Sequence, residues 1–156
     1  MRKYLLHILI ISFVFLLAPT AHVALYAGEI EDAREEVRNN PDDAKAHFGL
    51  GIAYFNASRY GESANAYVRA IRIDSDFAAA HNNLGVAYAR SGKHKKAIKS
   101  FKKAIRIDPY LAKAYSCLGL EYLLANDRDS ALEQYKILKS LDSELANELF
   151  NYIYRE

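Results

Sequence analysis

Residues 78–111 read AAAHNNLGVAYARSGKHKKAIKSFKKAIRIDPYL, and this stretch decides the fold because its pattern is found three times in the chain. The same spacing of apolar residues, glycines and tyrosines occurs in residues 44–77, directly before it, and in residues 112–145, directly after it. The three copies are contiguous and have a period of 34 residues. Self-similarity at a fixed period of roughly 20–50 residues indicates stacked repeats of one supersecondary unit.

Each copy divides into two amphipathic helical segments. In the first segment of the first copy, Leu50, Ala53 and Tyr54 lie at i, i+3 and i+4, which is the spacing of one helix face. In the second segment, Ala66 and Ala70 show the i, i+4 spacing again. A short break separates the two segments of every copy, so each copy is predicted to be a pair of antiparallel helices.

A glycine recurs in the middle of each first segment, at Gly51, Gly85 and Gly119. Glycine inside a helix costs about 1 kcal/mol relative to alanine. That cost is offset where a second helix must approach closely. The glycines therefore predict close packing between the two helices of each copy.

The aligned columns resemble the tetratricopeptide repeat family. The columns hold a leucine, a glycine, a tyrosine, an aromatic residue and an aspartate, as at Leu84, Gly85, Tyr88, Phe101 and Asp108 of the second copy. The resemblance spans 102 of the 156 residues. It implies an all-α fold, an α-solenoid of antiparallel helix pairs, in which the first helices line a concave groove.

The flanking segments are predicted to cap the solenoid at both ends. An N-terminal half-repeat helix is assigned to residues 28–43, where Ile30 and Val37 share one apolar face. A C-terminal capping helix is assigned to residues 146–156, within an amphipathic stretch that starts at residue 143. The repeats themselves are residues 44–77, 78–111 and 112–145.

Residues 1–27 have the order of segments that is typical of a secretory signal peptide. Arg2 and Lys3 precede an apolar run over residues 5–18, and Pro19 and small residues follow it. The run is shorter than the roughly 20 residues that a membrane span needs. An uncleaved membrane anchor is the second interpretation, and an N-terminal helix packed on the repeats is the third. The first two predict an exported protein, periplasmic or extracellular, which is soluble after cleavage near Ala27 or tethered by its N-terminus.

A basic stretch at residues 93–106 contrasts with a formal net charge of only +2 for the chain. The stretch contains seven Lys or Arg and no acidic residue, while residues 29–43 have a net charge of −5 and residues 114–156 of −4. Alternation of charge along the chain does not fit a uniformly positive nucleic-acid-binding protein. Export argues against nucleic acid as well, so no nucleic-acid partner is predicted.

In the repeat register, the basic stretch is the second helix of the second copy. Its bases alternate with a buried stripe that contains Ala97 and Phe101, so they are expected to point outward on the convex side. We define this basic ridge as Lys95, Lys96, Lys99, Lys102, Lys103 and Arg106. Most of it is interpreted as the solvated face of a structural helix. The alternative function is an electrostatic adhesion module that binds an anionic membrane or an acidic partner.

The sequence contains no recognisable catalytic or metal-binding pattern. Cys117 is the only cysteine, so it forms neither an internal disulfide nor a cysteine metal cluster. His47 and His81 are one repeat apart at a packing position, without a third ligand at suitable spacing. We therefore expect no enzyme activity, no cofactor, no metal and no small-molecule ligand.

The resemblance implies that the concave groove binds a partner protein. The candidate groove residues are Lys45, Phe48, Ile52, Phe55, Asn82, Asn83, Val86, Arg90, Lys113, Leu120, Leu123 and Leu124. Because this surface is largely apolar, we predict that it holds an apolar or amphipathic segment of a partner, with Phe48, Phe55 and Leu120 as anchors. The other interpretation is that some of these side chains pack between helices or under the C-terminal helix.

Some members of the family grip the terminal carboxylate of a peptide with two lysines, two asparagines and an arginine. At the matching positions, this sequence retains only Asn83 and Lys113, and Phe48, Ile52 and Cys117 occupy the other three. Carboxylate clamping is therefore not predicted. The sequence as a whole favours a non-catalytic protein–protein interaction scaffold that is exported from the cytosol.

Overall fold

The structure is a computed structural model that describes residues 26–154, and every regular element in that range is a helix. The helices are α1 (residues 26–39), α2 (Ala44–Asn56), α3 (Tyr60–Ile73), α4 (Ala78–Arg90), α5 (His94–Ile107), α6 (Ala112–Leu124), α7 (Arg128–Leu141) and α8 (Ser143–Ile153). The predicted all-α solenoid of helix pairs is confirmed. Of the predicted targeting segment 1–27, residues 1–25 lie outside the described range. Between residues 26 and 154, no helix is both long enough and apolar enough to span a membrane.

The three repeats are the helix pairs α2/α3, α4/α5 and α6/α7. Their first helices begin at residues 44, 78 and 112, which are the first residues of the three predicted copies. Successive pairs pack through α3 against α4 and α5 against α6. This arrangement places α2, α4 and α6 on the concave side of the solenoid, where a groove is expected.

The turn inside each pair has the same backbone conformation in all three repeats. Its second residue has a positive φ angle, with values of 59° at Ser58, 71° at Gly92 and 59° at Asn126. The N–H of the next residue donates to the tyrosine carbonyl five residues earlier, at 2.8 Å in each repeat. A left-handed residue at this position ends the first helix and satisfies its last carbonyls. The chain therefore reverses in the same way three times.

The glycines of the first helices lie where another helix approaches closely. A Cβ atom on Gly85 would be 2.5 Å from the Phe101 ring, and one on Gly51 would collide with the Tyr67 ring. The predicted close packing is thus confirmed for the first two repeats. The third repeat differs, because the side chain nearest to a Cβ on Gly119 is Leu149 of α8, at 2.6 Å.

Helix α8 closes the C-terminal end of the core. Asp142 is its N-cap and accepts from the backbone N–H groups of Glu144 and Leu145, at 3.0 Å each. Because this cap directly follows α7, α8 begins at Ser143, where the predicted amphipathic stretch starts and three residues before the boundary assigned to the capping helix. Its buried side chains, Ala146, Leu149 and Ile153, pack with Tyr115, Ala131 and Leu138.

Helix α1 covers the opposite end. Ile30 is 5% exposed and packs with Ala53, Tyr54 and Ala66 of the first repeat. The Arg34 guanidinium donates to the Tyr54 hydroxyl at 3.0 Å. The predicted cap at residues 28–43 is helical only to residue 39, because a turn follows it.

Candidate protein-binding groove

A pocket of about 230 Å³ opens between α2 and α4 on the concave side. It is lined by Ile52 and Phe55 of α2, Asn83 and Val86 of α4, and Tyr67 of α3. Four of these five are candidate groove residues from the sequence. The structure therefore brings together candidates from two different repeats.

Tyr67 forms the floor of this pocket and was not among the candidates. Its side chain is 1% exposed, so the hydroxyl is shielded from water. Burial raises the pKa of Tyr67, and hydrogen bonds with Ser63 and Asn83 partly oppose that rise. The phenol is therefore neutral at physiological pH, and Asn83 links it to the groove surface.

The candidate Phe48 packs between the first two repeats. Its ring centroid lies 4.8 Å from that of Phe77 and 5.5 Å from that of Tyr67. The side chain is half-buried. Phe55, also half-buried, contacts Tyr60 with a centroid distance of 5.2 Å and still lines the pocket. Of the two predicted phenylalanine anchors, only Phe55 lines the pocket.

Asn82 lies in the interior, although it was expected at the groove surface. It is 7% exposed, and its Nδ2 donates to Asn83 Oδ1 at 3.3 Å. The Oδ1 atom of Asn82 has no hydrogen-bond partner among the described residues. Asn83 therefore lines the pocket, while Asn82 donates to it from the interior.

The part of the groove at the third repeat is partly covered by α8. Leu120 and Leu123 are half-buried and pack against the cluster that contains Leu149 and Ile153. The proposed anchor Leu120 thus contributes to the core, as the packing interpretation predicts. Leu124, in contrast, is 70% exposed.

Three of the candidate groove residues are exposed cations. Lys45, Arg90 and Lys113 are exposed. Helices α2 and α4 contain no acidic residue. The only acidic residue of α6 is Glu121, which is 5% exposed and bonds the His94 Nδ1 of α5 at 2.9 Å. The three first helices therefore present exposed cations and no exposed carboxylate.

The six residues of the basic ridge span roughly a third of the circumference of α5, and the two edges of this face reach different neighbouring helices. The Nζ of Lys96 is 5.6 Å from the Tyr88 ring centroid, and the Nζ of Lys102 is 5.5 Å from that of Tyr122. Lys103 is half-buried, whereas Lys95, Lys99 and Arg106 are exposed. Within residues 26–154, no carboxylate lies within 4.0 Å of any ridge cation. The ridge is therefore not neutralised by salt bridges in this part of the chain.

The histidine candidates take part in repeat packing. His47 Nε2 bonds the Pro41 carbonyl at 2.8 Å, and His81 Nε2 bonds the Ser75 carbonyl at 3.1 Å. In the third repeat, the Tyr115 hydroxyl donates to the equivalent carbonyl at 3.1 Å. The two histidines thus replace an aromatic hydroxyl that ties the first helix to the preceding turn.

Cys117 is half-buried on α6. Burial is the main cause that raises the pKa of its thiol to about 11, and the nearby Glu121 carboxylate adds to the rise. The thiol therefore stays protonated near neutral pH and is a poor nucleophile. No cluster of three or more His, Cys, Asp or Glu side chains suited to a metal ion is present among the described residues.

Comparison with known sequences identifies the repeat. The profile described as Tetratricopeptide repeat matches residues 78–111, and the profile described as TPR repeat matches residues 57–92. No match was found among curated proteins.

Comparison with solved structures gives the same architecture. A crystal structure of MamA is 31% identical, with a TM-score of 0.70 over 76% of this chain and 69% of that one. The first TPR domain of Spaghetti (RPAP3), bound to an HSP90 peptide, is 24% identical, with a TM-score of 0.66 over 70% and 89% of the two chains. The second TPR domain of human RPAP3, in complex with an HSP70 peptide, is 22% identical, with a TM-score of 0.68 over 72% and 96%.

Proposed function

The chain belongs to the tetratricopeptide repeat family, and from that premise we propose that it is a non-catalytic protein-interaction scaffold. The protein is exported from the cytosol. Its concave groove holds an apolar or amphipathic segment of a partner protein, centred on the pocket between the first two repeats.

The observation that carries this proposal is the apolar pocket beneath Ile52. Ile52 is 38% exposed although it is one of the most apolar residue types, and Phe55 and Val86 stand beside it. Asn83 and the Tyr67 hydroxyl add polar atoms at the base. A concave, mostly apolar surface with few polar groups is the usual composition of a binding site.

The similar structures support a peptide ligand in general terms. Two of them are TPR domains in complex with chaperone peptides. This chain retains only Asn83 and Lys113 at the carboxylate-clamp positions, so its ligand differs in chemistry. An apolar side chain that enters the pocket, with acidic residues on either side that face Lys45 and Arg90, fits the groove best.

Replacing Ile52 by aspartate is expected to weaken partner binding strongly while the protein stays folded. The side chain is exposed, so the charge costs little stability, but it would be desolvated when an apolar segment enters the pocket. A loss of about tenfold or more in affinity is expected for a residue at the centre of an interface. Photo-crosslinking from position 52 in the native host, followed by mass spectrometry, identifies the partner segment, and titration of that segment measures the loss.

Val68→Asp is the matched control. Val68 is 42% exposed on α3, outside the pocket, and the substitution introduces the same charge. Position 68 should give no crosslink to the segment, and its variant should bind normally. Equal binding by both variants, with circular dichroism unchanged, would rule out the groove as the binding site.

The proposed export is tested by a substitution in the apolar run of the N-terminal segment. Ile10→Arg is expected to retain the protein in the cytosol, because a charge in the apolar region disrupts a targeting segment. Ile10→Leu serves as the conservative control. Fractionation of expressing bacteria gives the location, and N-terminal sequencing separates cleavage near Ala27 from an uncleaved tether. Export of both variants alike would contradict this part of the proposal.

The second candidate function is electrostatic adhesion through the basic ridge. The observation that favours it is the absence of any carboxylate within 4.0 Å of the six ridge cations in the described residues. Unpaired cations on one helix attract anionic surfaces, and the attraction decreases as salt is added. In this function, the convex side binds an anionic membrane while the groove remains available to a protein.

A further inference from the structure

Part of the basic ridge forms the wall of a pocket between α4 and α5. This lysine pocket has a volume of about 340 Å³. Its lining consists of His81, Leu84 and Tyr88 from α4 and of Lys96, Lys99, Ser100 and Lys103 from α5. The volume corresponds to roughly ten water molecules, so a small polyatomic anion has room to enter.

The lining combines three ammonium groups with an apolar wall. Leu84 is 7% exposed, and the Tyr88 ring lies 5.6 Å from the Nζ of Lys96. A concave site with charges of one sign beside apolar walls focuses the electric potential. The pocket is therefore more attractive to an anion than the same lysines would be on a flat surface.

Two other polar groups of the lining have partners within the protein. The Ser100 hydroxyl donates to the Lys96 carbonyl at 3.0 Å, and His81 Nε2 bonds the Ser75 carbonyl at 3.1 Å. No Asp or Glu lines the pocket, and no carboxylate of the described residues lies within 4.0 Å of its lysines. The ammonium groups thus remain as donors to a ligand.

The repeat architecture does not require these lysines. The residues at the positions of Lys96, Lys99 and Lys103 are Glu62, Asn65 and Arg69 in the first repeat and Ser130, Glu133 and Ile137 in the third. The same helix pair forms with each of these three sets of side chains. The fold therefore does not fix the lysines of the second repeat.

We propose that the lysine pocket binds a phosphate group. A phosphate carries close to two negative charges and three strong acceptor oxygens, which suits a pocket lined by three ammonium groups. Lysine binds phosphate as a point charge without a fixed fork geometry, so flexible side chains suffice. The phosphate comes from an anionic lipid headgroup or from a free phosphate compound. This inference deepens the adhesion function and rests on it.

The test compares two double variants of the full-length protein with equal charge. Lys99→Gln with Lys103→Gln removes two pocket lysines, whereas Lys95→Gln with Lys102→Gln removes two ridge lysines that do not line the pocket. The probes are inorganic pyrophosphate, in calorimetric titration, and phosphatidylcholine vesicles with phosphatidic acid, in co-sedimentation. The ridge variant should bind vesicles more weakly than the wild type, because it also removes two charges of the adhesive ridge. The pocket variant is expected to lose about tenfold more affinity than the ridge variant for either probe, because its lysines contact the phosphate directly.

The outcomes separate the pocket from the ridge. Binding of vesicles alone would assign the phosphate to a lipid, and binding of pyrophosphate would assign it to a free phosphate compound. Equal losses in both variants, with equal thermal unfolding midpoints, would overturn the pocket and leave the ridge as a diffuse adhesive surface. Failure of the wild type to bind either probe at low salt would overturn both.

Discussion

Replacing Leu149 by alanine is expected to lower the free energy of unfolding by about 2–5 kcal/mol, the range for truncation of a buried leucine. Leu149 is 1% exposed and packs over Gly119, which has no side chain to fill the space that the mutation leaves. The loss also loosens α8 and exposes the half-buried Leu120 and Leu123. Urea denaturation followed by circular dichroism measures the change.

Asn147→Ala is the control within the same helix, because Asn147 is exposed and alanine favours helix formation. Its free energy of unfolding should stay within about 0.5 kcal/mol of the wild type. If Leu149→Ala were as stable as Asn147→Ala, α8 would not be part of the cooperative core. The groove at the third repeat would then be open to a partner.

The sequence predicts the helix pairs because the repeat pattern occurs in it three times. Columns such as Tyr67 and Phe101 mark buried positions, and the glycine in each first helix indicates where a second helix approaches. The C-terminal cap shows the limit of this reasoning. Gly119 belongs to the same column as Gly51 and Gly85, but its nearest neighbour is Leu149, which belongs to no repeat.

Features outside the repeat pattern were not predictable. Glu121 occupies the position at which the other two repeats have Ala53 and Ala87, and only the structure shows that it is buried and bonded to His94 of the neighbouring repeat. The contact depends on the angle between α5 and α6, which spacing in the sequence does not encode. Such substitutions give each repeat its individual contacts.

The candidate site could be predicted in part. Four residues chosen from family positions, Ile52, Phe55, Asn83 and Val86, line one pocket in the structure. They do not show that Phe48 is held against Phe77, since that contact depends on how closely the two repeats stack. Packing between repeats decides which apolar residues remain available to a partner. The residue pattern within one repeat does not decide it.

Replacing Gly85 by alanine is expected to destabilise the protein by about 1–3 kcal/mol, although alanine is the better helix former. The new Cβ would lie 2.5 Å from the Phe101 ring, which is 1% exposed and packs with Ala97 and Leu118. A buried ring in this position moves only if α4 and α5 separate. Separation would also disturb the packing of the second repeat on the third, so the loss should be global in urea denaturation.

Gly49→Ala isolates the steric effect, because Gly49 is also inside a first helix and a Cβ atom added there would meet no atom within 4 Å. This variant should gain about 0.5–1 kcal/mol from the lower conformational entropy of alanine in the unfolded chain. The two substitutions are chemically identical, so opposite signs can arise only from the space around each site. If both variants were stabilised, the close approach of Phe101 to Gly85 would not exist in solution. The explanation of the glycine column by helix contact would then be wrong.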